Sequence, residues 1–455
     1  MGNSQDSWQL TCCASGEVVF PAEAPLSRGW RRVLGAGQRV CTMTTAMIAV
    51  PHALGDLGIR RNLLEDLALK TLYLEGELSL RELAERMRLS FGVVEEIFQR
   101  MRKEQLCEVK GMIGGVHRVA TTSQGKTRAL ELLSLNQYAG PAPVCLPAYV
   151  SRVRAQSVRN AAVCPADVHR AFDHLVLSDE TLAQLGTAVV SGTSIFLYGP
   201  TGTGKTSLAE TLPSIYHDSV WIPYAVEIDG QIITVYDSGV HERIDQPVPP
   251  DSDGRWVLCR RPRIIAGGEL TIEMLDLQFN PVTKFYAAPL QMRANNGVLI
   301  VDDFGRQRVR PEELLNRWIV PLDRRIDFLT LAGGKTFEIP FDLFVVFATN
   351  LDPAKLADEA FFRRIQNKIK VDYVTKDKFH EIFHRFCCRS DLEYDATVVE
   401  HLIHILSKEF NEPLRACYPR DIIQQICWMA RYEGKQPHLD QDTVAKACRN
   451  YFLVS

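Results

Sequence analysis

The chain lacks any apolar run approaching the ~18 residues of a membrane span, so no transmembrane segment is expected. It has no basic start followed by an apolar stretch, which argues against a secretory leader. Asp6 stands where an N-myristoylation motif wants Ser or Thr. The 12 cysteines include no C-x-x-C spacing, and adjacent pairs such as Cys12-Cys13 and Cys387-Cys388 do not suggest a disulfide framework. Scattered thiols of this kind fit a reduced setting, and a soluble cytoplasmic protein is expected. Neither sign of charge dominates. With a net charge of −3 over 455 residues, any contact with nucleic acid must come from a local patch.

What is present is an ordinary globular composition, 46% hydrophobic and 24% charged, in a chain too long for one core. Its most specific stretch is Gly199-Pro200-Thr201-Gly202-Thr203-Gly204-Lys205-Thr206-Ser207, directly behind the apolar run 194–198. This satisfies G-x-x-x-x-G-K-[ST] in its expected setting of strand, glycine-rich turn and helix. Glycines let such a loop wrap with its amides inward, making a positive concavity for phosphate oxygens. Lys205 is expected to reach the β- and γ-phosphates of a nucleotide, and Thr206 to place its hydroxyl on Mg²⁺.

A second apolar run, 298–301, ends in Asp302 and Asp303. In this pattern the first acid holds hydrated Mg²⁺ and the next orients and deprotonates a water. A third, 344–348, ends in Thr349 and Asn350, where an amide side chain can hold the lytic water or contact the γ-phosphate. Arg363 and Arg364 close the stretch from Asp358 to Ile365, and Arg420 lies at the start of an amphipathic pattern through Ile422, Ile423, Ile426 and Met429.

Taken in order, these five elements make residues 165–455 resemble the AAA+ ATPase superfamily. The resemblance implies an α/β fold: a P-loop NTPase core with a parallel sheet between helices, a C-terminal helical lid, and ATP and Mg²⁺ bound between them. It also implies ring assembly, usually hexameric. Arg363 or Arg364 would reach a neighbouring subunit's ATP, and Arg420 would sense the γ-phosphate in its own. The hairpin pattern over 325–339, turning at Gly333-Gly334, resembles the pre-sensor-1 hairpin of the clade that includes MoxR-like chaperone ATPases and enhancer-binding activators. No GAFTGA-like loop occurs in 215–297, which weakens sigma-factor remodelling. Asp303 departs from the usual Glu. Its shorter side chain implies slower turnover, and keeps open a nucleotide-binding scaffold without hydrolysis.

Ahead of this core, residues 1–55 read as irregular, and Met43 or Met47 are alternative starts. Residues 56–137 read as three helices and a hairpin, resembling a winged-helix α+β domain. Leu63, Leu64, Leu67, Leu69, Leu72 and Leu74 suit a buried first helix, and Ser79 to Glu82 is a capping box. On the third helix Arg100, Arg102 and Lys103 are balanced by Glu95, Glu96 and Glu104. A DNA-reading helix carries excess positive charge. Docking of a protein client therefore stands ahead of a nucleotide-switched, DNA-binding regulator, and both remain open. Residues 138–164 read as a proline-containing linker with a solvated Arg152–Arg159 stretch. Asp245–Arg255 reads as a surface loop in a β-rich region, and 165–375 and 376–455 as the ATPase domain and its lid.

Overall fold

The computed structural model describes residues 47–452 apart from 246–248, 250, 354–355 and 357–361. Most of the segment expected to be irregular, Cys12-Cys13, Met43 and residues 358–361 thus lie outside the described residues. Helix α1 (Arg61–Glu75), strand β1 (Leu78–Ser79), helices α2 (Leu80–Met87) and α3 (Phe91–Lys103), strands β2 (Cys107–Ile113) and β3 (Val116–Thr121) and helix α4 (Ser123–Leu135) follow in order. The strands pair antiparallel as β1-β3-β2. The capping box is formed: Ser79 Oγ accepts from the Glu82 amide, and Glu82 accepts from the Ser79 amide at 2.7 Å. Leu64, Leu67, Leu69 and Leu72 are buried as expected, whereas Leu74 is 57% exposed because it falls outside the α1 stripe.

This module is not loosely tethered. Its core continues into Ala225 and Ile232 of the hairpin between β7 (Ala225–Ile228) and β8 (Gln231–Thr234). The Ala142 amide bonds to Met87 O, and the Gln137 amide to Thr283 O. The expected linker is itself ordered and packed. Val144–Cys145 forms β4, parallel to β7, and Leu146–Ala155 forms helix α5, with Tyr149 and Val153 buried. Pro147 sits in the first turn of α5, where its missing N–H leaves nothing unsatisfied. Within 152–159, Arg154 and Arg159 are solvent-exposed as expected, while Val153, Gln156 and Val158 between them are buried. The polar string near Asp245 also misleads, since Asp253 and Arg255 form a buried ion pair (2.8 Å) with Arg255 Nη1 on Pro143 O.

Next come helices α6 (Pro165–Phe172) and α7 (Asp179–Ser191), strand β5 (Ser194–Tyr198) and helix α8 (Lys205–Thr211). An inserted β region follows, with β6 (Ser219–Pro223) antiparallel to β9 (Trp256–Arg260), and a mixed sheet of β4, β7, β8, β12 (Tyr286–Ala287) and β11 (Gln278–Phe279). The turn between β7 and β8 is the expected Asp229-Gly230, both at positive φ.

The central sheet runs β10 (Arg263–Ala266), β13 (Val298–Val301), β16 (Phe344–Thr349), β5 and β17 (Asn367–Lys370), all parallel. Its inner strands are apolar along their length because both faces are covered. Side chains alternate between the faces. Phe196, Leu299, Val301, Val345 and Phe347 pack on Leu314, Leu315 and Trp318 of the helix Pro311–Arg324. Ile195, Leu197, Ile300 and Val346 pack on Leu185 and Ala188 of α7 and Leu208 and Ala209 of α8. Truncating one such aromatic to Ala costs about 3–5 kcal/mol.

The expected hairpin is present as β14 (Ile326–Thr330) against β15 (Thr336–Pro340). Leu329, Phe337 and Ile339 point into the inserted region's core, and Phe328 points out. Helices Lys376–Arg389, Ala396–Lys408, Tyr418–Tyr432 and Gln441–Tyr451 complete the chain around Phe379, Phe383, Leu402, Ile422 and Ile426.

Candidate active site

β5 ends at Tyr198, and the chain reverses through Gly199 at φ +142°. A Cβ at Gly199 would lie 2.2 Å from Val371 O, so a side chain cannot be accommodated without moving the segment after β17. Gly199→Ala is expected to suffer both strained backbone and overpacking, each worth about 1–3 kcal/mol. Thermal melting and nucleotide titration of the variant check this; a wild-type melt would contradict it. Thr203 Oγ1 donates to Pro200 O at 2.9 Å and fixes the loop's curl. Gly204, at φ +96°, leads into α8. Lys205 is buried and donates through Nζ to Gly199 O (3.0 Å) and Pro200 O (2.6 Å). Burial lowers its pKa, opposed by the charges of Asp303 and Asp302.

β13 delivers Asp302 opposite α8. Thr206 Oγ1 lies 3.0 and 3.2 Å from the two Asp302 carboxylate oxygens. A neutral hydroxyl and an anionic oxygen in contact are a donor set that fits a hard divalent cation. Asp303 is exposed and sits at φ +47°, an uncommon conformation for a non-glycine residue that turns it off the strand line. The turn is held from β16: the Phe304 amide bonds to Ala348 O, and Thr349 Oγ1 donates to Phe304 O. Asn350 Nδ2 donates to Thr201 Oγ1 at 3.2 Å, while its Oδ1 is buried with no partner. An orphaned buried acceptor at the mouth of a cavity suits a water or a protonated ligand group.

These groups line one cavity of about 540 Å³, which also takes in Ser207 and, from the lid, Arg420. Arg420 pairs with Asp421 at 2.8 Å, and Asp421 also accepts from Tyr451 Oη. The structure therefore brings together residues 201–207 with Asp302, Asp303, Asn350 and Arg420, whereas Gly199 and Pro200 lie outside the cavity lining and hold Lys205 through their carbonyls. Arg363 and Arg364 do not line this cavity. Arg364 Nε donates to Asp323 at 2.8 Å, whereas Arg363 is exposed.

A phosphate loop after β5, acids after β13 and an amide after β16 all meet at the carboxyl edge of a five-stranded parallel sheet. The fold is α/β: a parallel sheet between helices, a phosphate-loop motif at its carboxyl edge and a helical C-terminal region. Residues 375–450, the helical lid, match a family described as a domain of unknown function (DUF8689). No curated protein matches the chain. Among solved structures, the Thermotoga maritima RuvB Holliday junction branch migration motor is similar at 16% identity, over 64% of this chain and 72% of that one, with a TM-score of 0.34. NtrX from Brucella abortus is similar at 12% identity, over 67% of this chain and 59% of that one, with a TM-score of 0.37. Both likenesses are loose, and the fold rests on the chain's own sheet order and loop geometry.

Sequence reasoning missed the contact that closes the cavity over the phosphate loop. The Cys417 amide donates to Gly202 O at 3.1 Å, and Arg415 Nη1 lies 3.5 Å from Thr201 O. Nothing in the string around Arg415 separates it from any other surface arginine.

Proposed function

We propose that this chain binds and hydrolyses ATP·Mg²⁺ in a ring of its own copies and uses the cycle to remodel a protein client. The observation that carries the ATPase part is the meeting of Lys205, the Thr206–Asp302 pair, Asp303 and Asn350 in one lid-covered cavity. Lys205 would leave the loop carbonyls for the β- and γ-phosphates. Thr206 and Asp302 would hold Mg²⁺, which when bound neutralises charge on the phosphate oxygens. Asp303 would take the proton of the attacking water, and Asn350 would orient that water. Arg420 would report the γ-phosphate to the lid.

For partner choice we assign residues 56–137 as a winged-helix-like module, on the order of its helices and strands, ahead of an ATPase domain at 165–375 and a lid at 376–455. Seven of its 13 lysines and arginines are in ion pairs among the described residues, including Arg100 with Glu65 (2.8 Å), Arg61 with Glu96 (3.3 Å) and Arg118 with Glu77 (2.7 Å), although Arg102 and Lys103 of α3 are not. Cations already neutralised by neighbouring acids are poor phosphate contacts, which favours a protein client over DNA. The exposed hairpin residue Phe328 suits a client-facing or pore-facing role, as in the MoxR-like layout. Among the described residues no helix is long and apolar enough to cross a membrane.

The test is ATPase rate per protomer against protein concentration. A site shared between subunits gives specific activity that rises with concentration to a plateau. Activity independent of concentration down to the lowest measurable level would overturn the ring. Tight, salt-sensitive duplex binding by the full chain would move the N-terminal module to the DNA reading.

A further inference from the structure

The rim of the phosphate loop is held from two sides. Asn350 reaches the Thr201 hydroxyl from β16 at 3.2 Å. From the lid, Arg415 reaches the Thr201 carbonyl at 3.5 Å, and the Cys417 amide bonds to the next carbonyl, Gly202 O, at 3.1 Å. The fit is close. A Cβ on Gly202 would lie 2.7 Å from Cys417 Sγ and 3.2 Å from Arg415 Cδ, so glycine at φ +78° is what lets the lid approach.

Arg415 is itself anchored. Its Nη2 donates to Glu412 Oε2 at 2.8 Å, and that oxygen also accepts from Tyr418 Oη at 2.8 Å. The guanidinium carbon lies 5.7 Å from the Tyr418 ring centroid, and Tyr418 is buried in the lid core. The Leu414 carbonyl accepts from the Val374 amide at 3.0 Å, so the same turn is fastened to the segment joining core and lid. The Arg415 Nε is buried without a partner, leaving part of the fork uncommitted beside the loop. Cys417 has its thiol pushed up to about 11 by burial, so it acts here as packing and not as a nucleophile.

We propose that Arg415 is a positioning residue: with the Cys417 amide it clasps the lid to Thr201–Gly202, so that the lid moves with the phosphate loop and is coupled through Thr201 to Asn350. The coupling rests on the ATP-binding reading of this cavity; the clasp itself does not. When Asn350 turns toward a γ-phosphate it releases the Thr201 hydroxyl, and the loop rim and the lid turn shift together. Arg415 thus serves a different end from Arg420, which lines the cavity and is paired with Asp421.

The experiment has two arms. In nucleotide-free full-length protein, hydrogen exchange is followed at the Cys417 amide and across 199–206, with the amides of β13 as reference. Arg415→Ala is expected to speed exchange at Cys417 by about tenfold or more, the loss of roughly one charge-assisted hydrogen bond. Arg415→Lys, which keeps the stem and charge but loses the fork, is expected to fall between. Exchange at Cys417 as fast in wild type as in Arg415→Ala overturns the clasp. Should Arg415→Ala fail to fold, Tyr418→Phe, which frees the Glu412 anchor, gives the same readout.

The second arm is a double-mutant cycle on ATP affinity with Arg415→Ala and Asn350→Ala. Residues acting through one loop give a combined loss that differs from the product of the single losses by about fivefold or more. Losses that multiply overturn the coupling, since a merely structural Arg415 would act independently of Asn350. A wild-type protein that binds no ATP would sink the ATPase reading while the exchange arm still decides the clasp.

Discussion

Asp303→Asn is expected to leave ATP affinity within about twofold while lowering turnover by roughly 10²–10⁴-fold, the usual contribution of a positioned general base. The substitution is nearly isosteric and removes only the capacity to accept a proton. Asp303 is exposed, has a left-handed backbone and contributes no side chain to the sheet core, so stability should be nearly unchanged. Asp302 differs, because its carboxylate touches Thr206 and its loss would reach the cation as well. Single-turnover hydrolysis with ATP already bound separates the two roles. Undiminished hydrolysis by Asp303→Asn would assign the base elsewhere.

Arg363→Ala is expected to lower ATPase activity of the assembled protein by about 10³–10⁵-fold, the range associated with an arginine finger acting across an interface. Of the two candidate arginines, Arg364 already bonds to Asp323, on the helix that packs beneath β16. Arg363 is exposed and lies outside its own chain's cavity, as a residue serving a neighbour's site would. Arg364→Ala should instead loosen its own segment and show a smaller kinetic loss with a lowered melting temperature. Mixing Arg363→Ala protein with Asp303→Asn protein should restore part of the activity, because some interfaces then pair an intact base with an intact arginine. If Arg363→Ala alone is fully active, or the mixture is no more active than its separate components, no arginine is shared at that position.

The three inner strands of the central sheet and the phosphate loop were legible because each rests on strong local constraints, whereas the outer strands β10 and β17 were not singled out. The runs at 195–198, 298–301 and 344–348 are apolar at every position and stop at turn-forming or polar residues, as doubly covered parallel strands do. Asp229-Gly230 and Gly334 turn where positive φ is needed. The failures are equally physical. Pro147 looked like a breaker but occupies a first-turn position, and Asp253 and Arg255 looked like solvent-facing charges but bury one another. Arg415 was invisible because its meaning depends on Gly202, more than two hundred residues away, and no periodicity encodes such a contact.

The most direct measurement is equilibrium binding of ATP with Mg²⁺ to wild type and to Lys205→Ala. Lys205 is buried in the loop, with Nζ placed to trade two carbonyl bonds for phosphate oxygens. Loss of one charge-assisted contact worth about 1.5–3 kcal/mol predicts affinity weakened by roughly 10- to 150-fold. Equal affinity in the two proteins would contradict a phosphate-binding role for this loop, and with it the proposed ATPase.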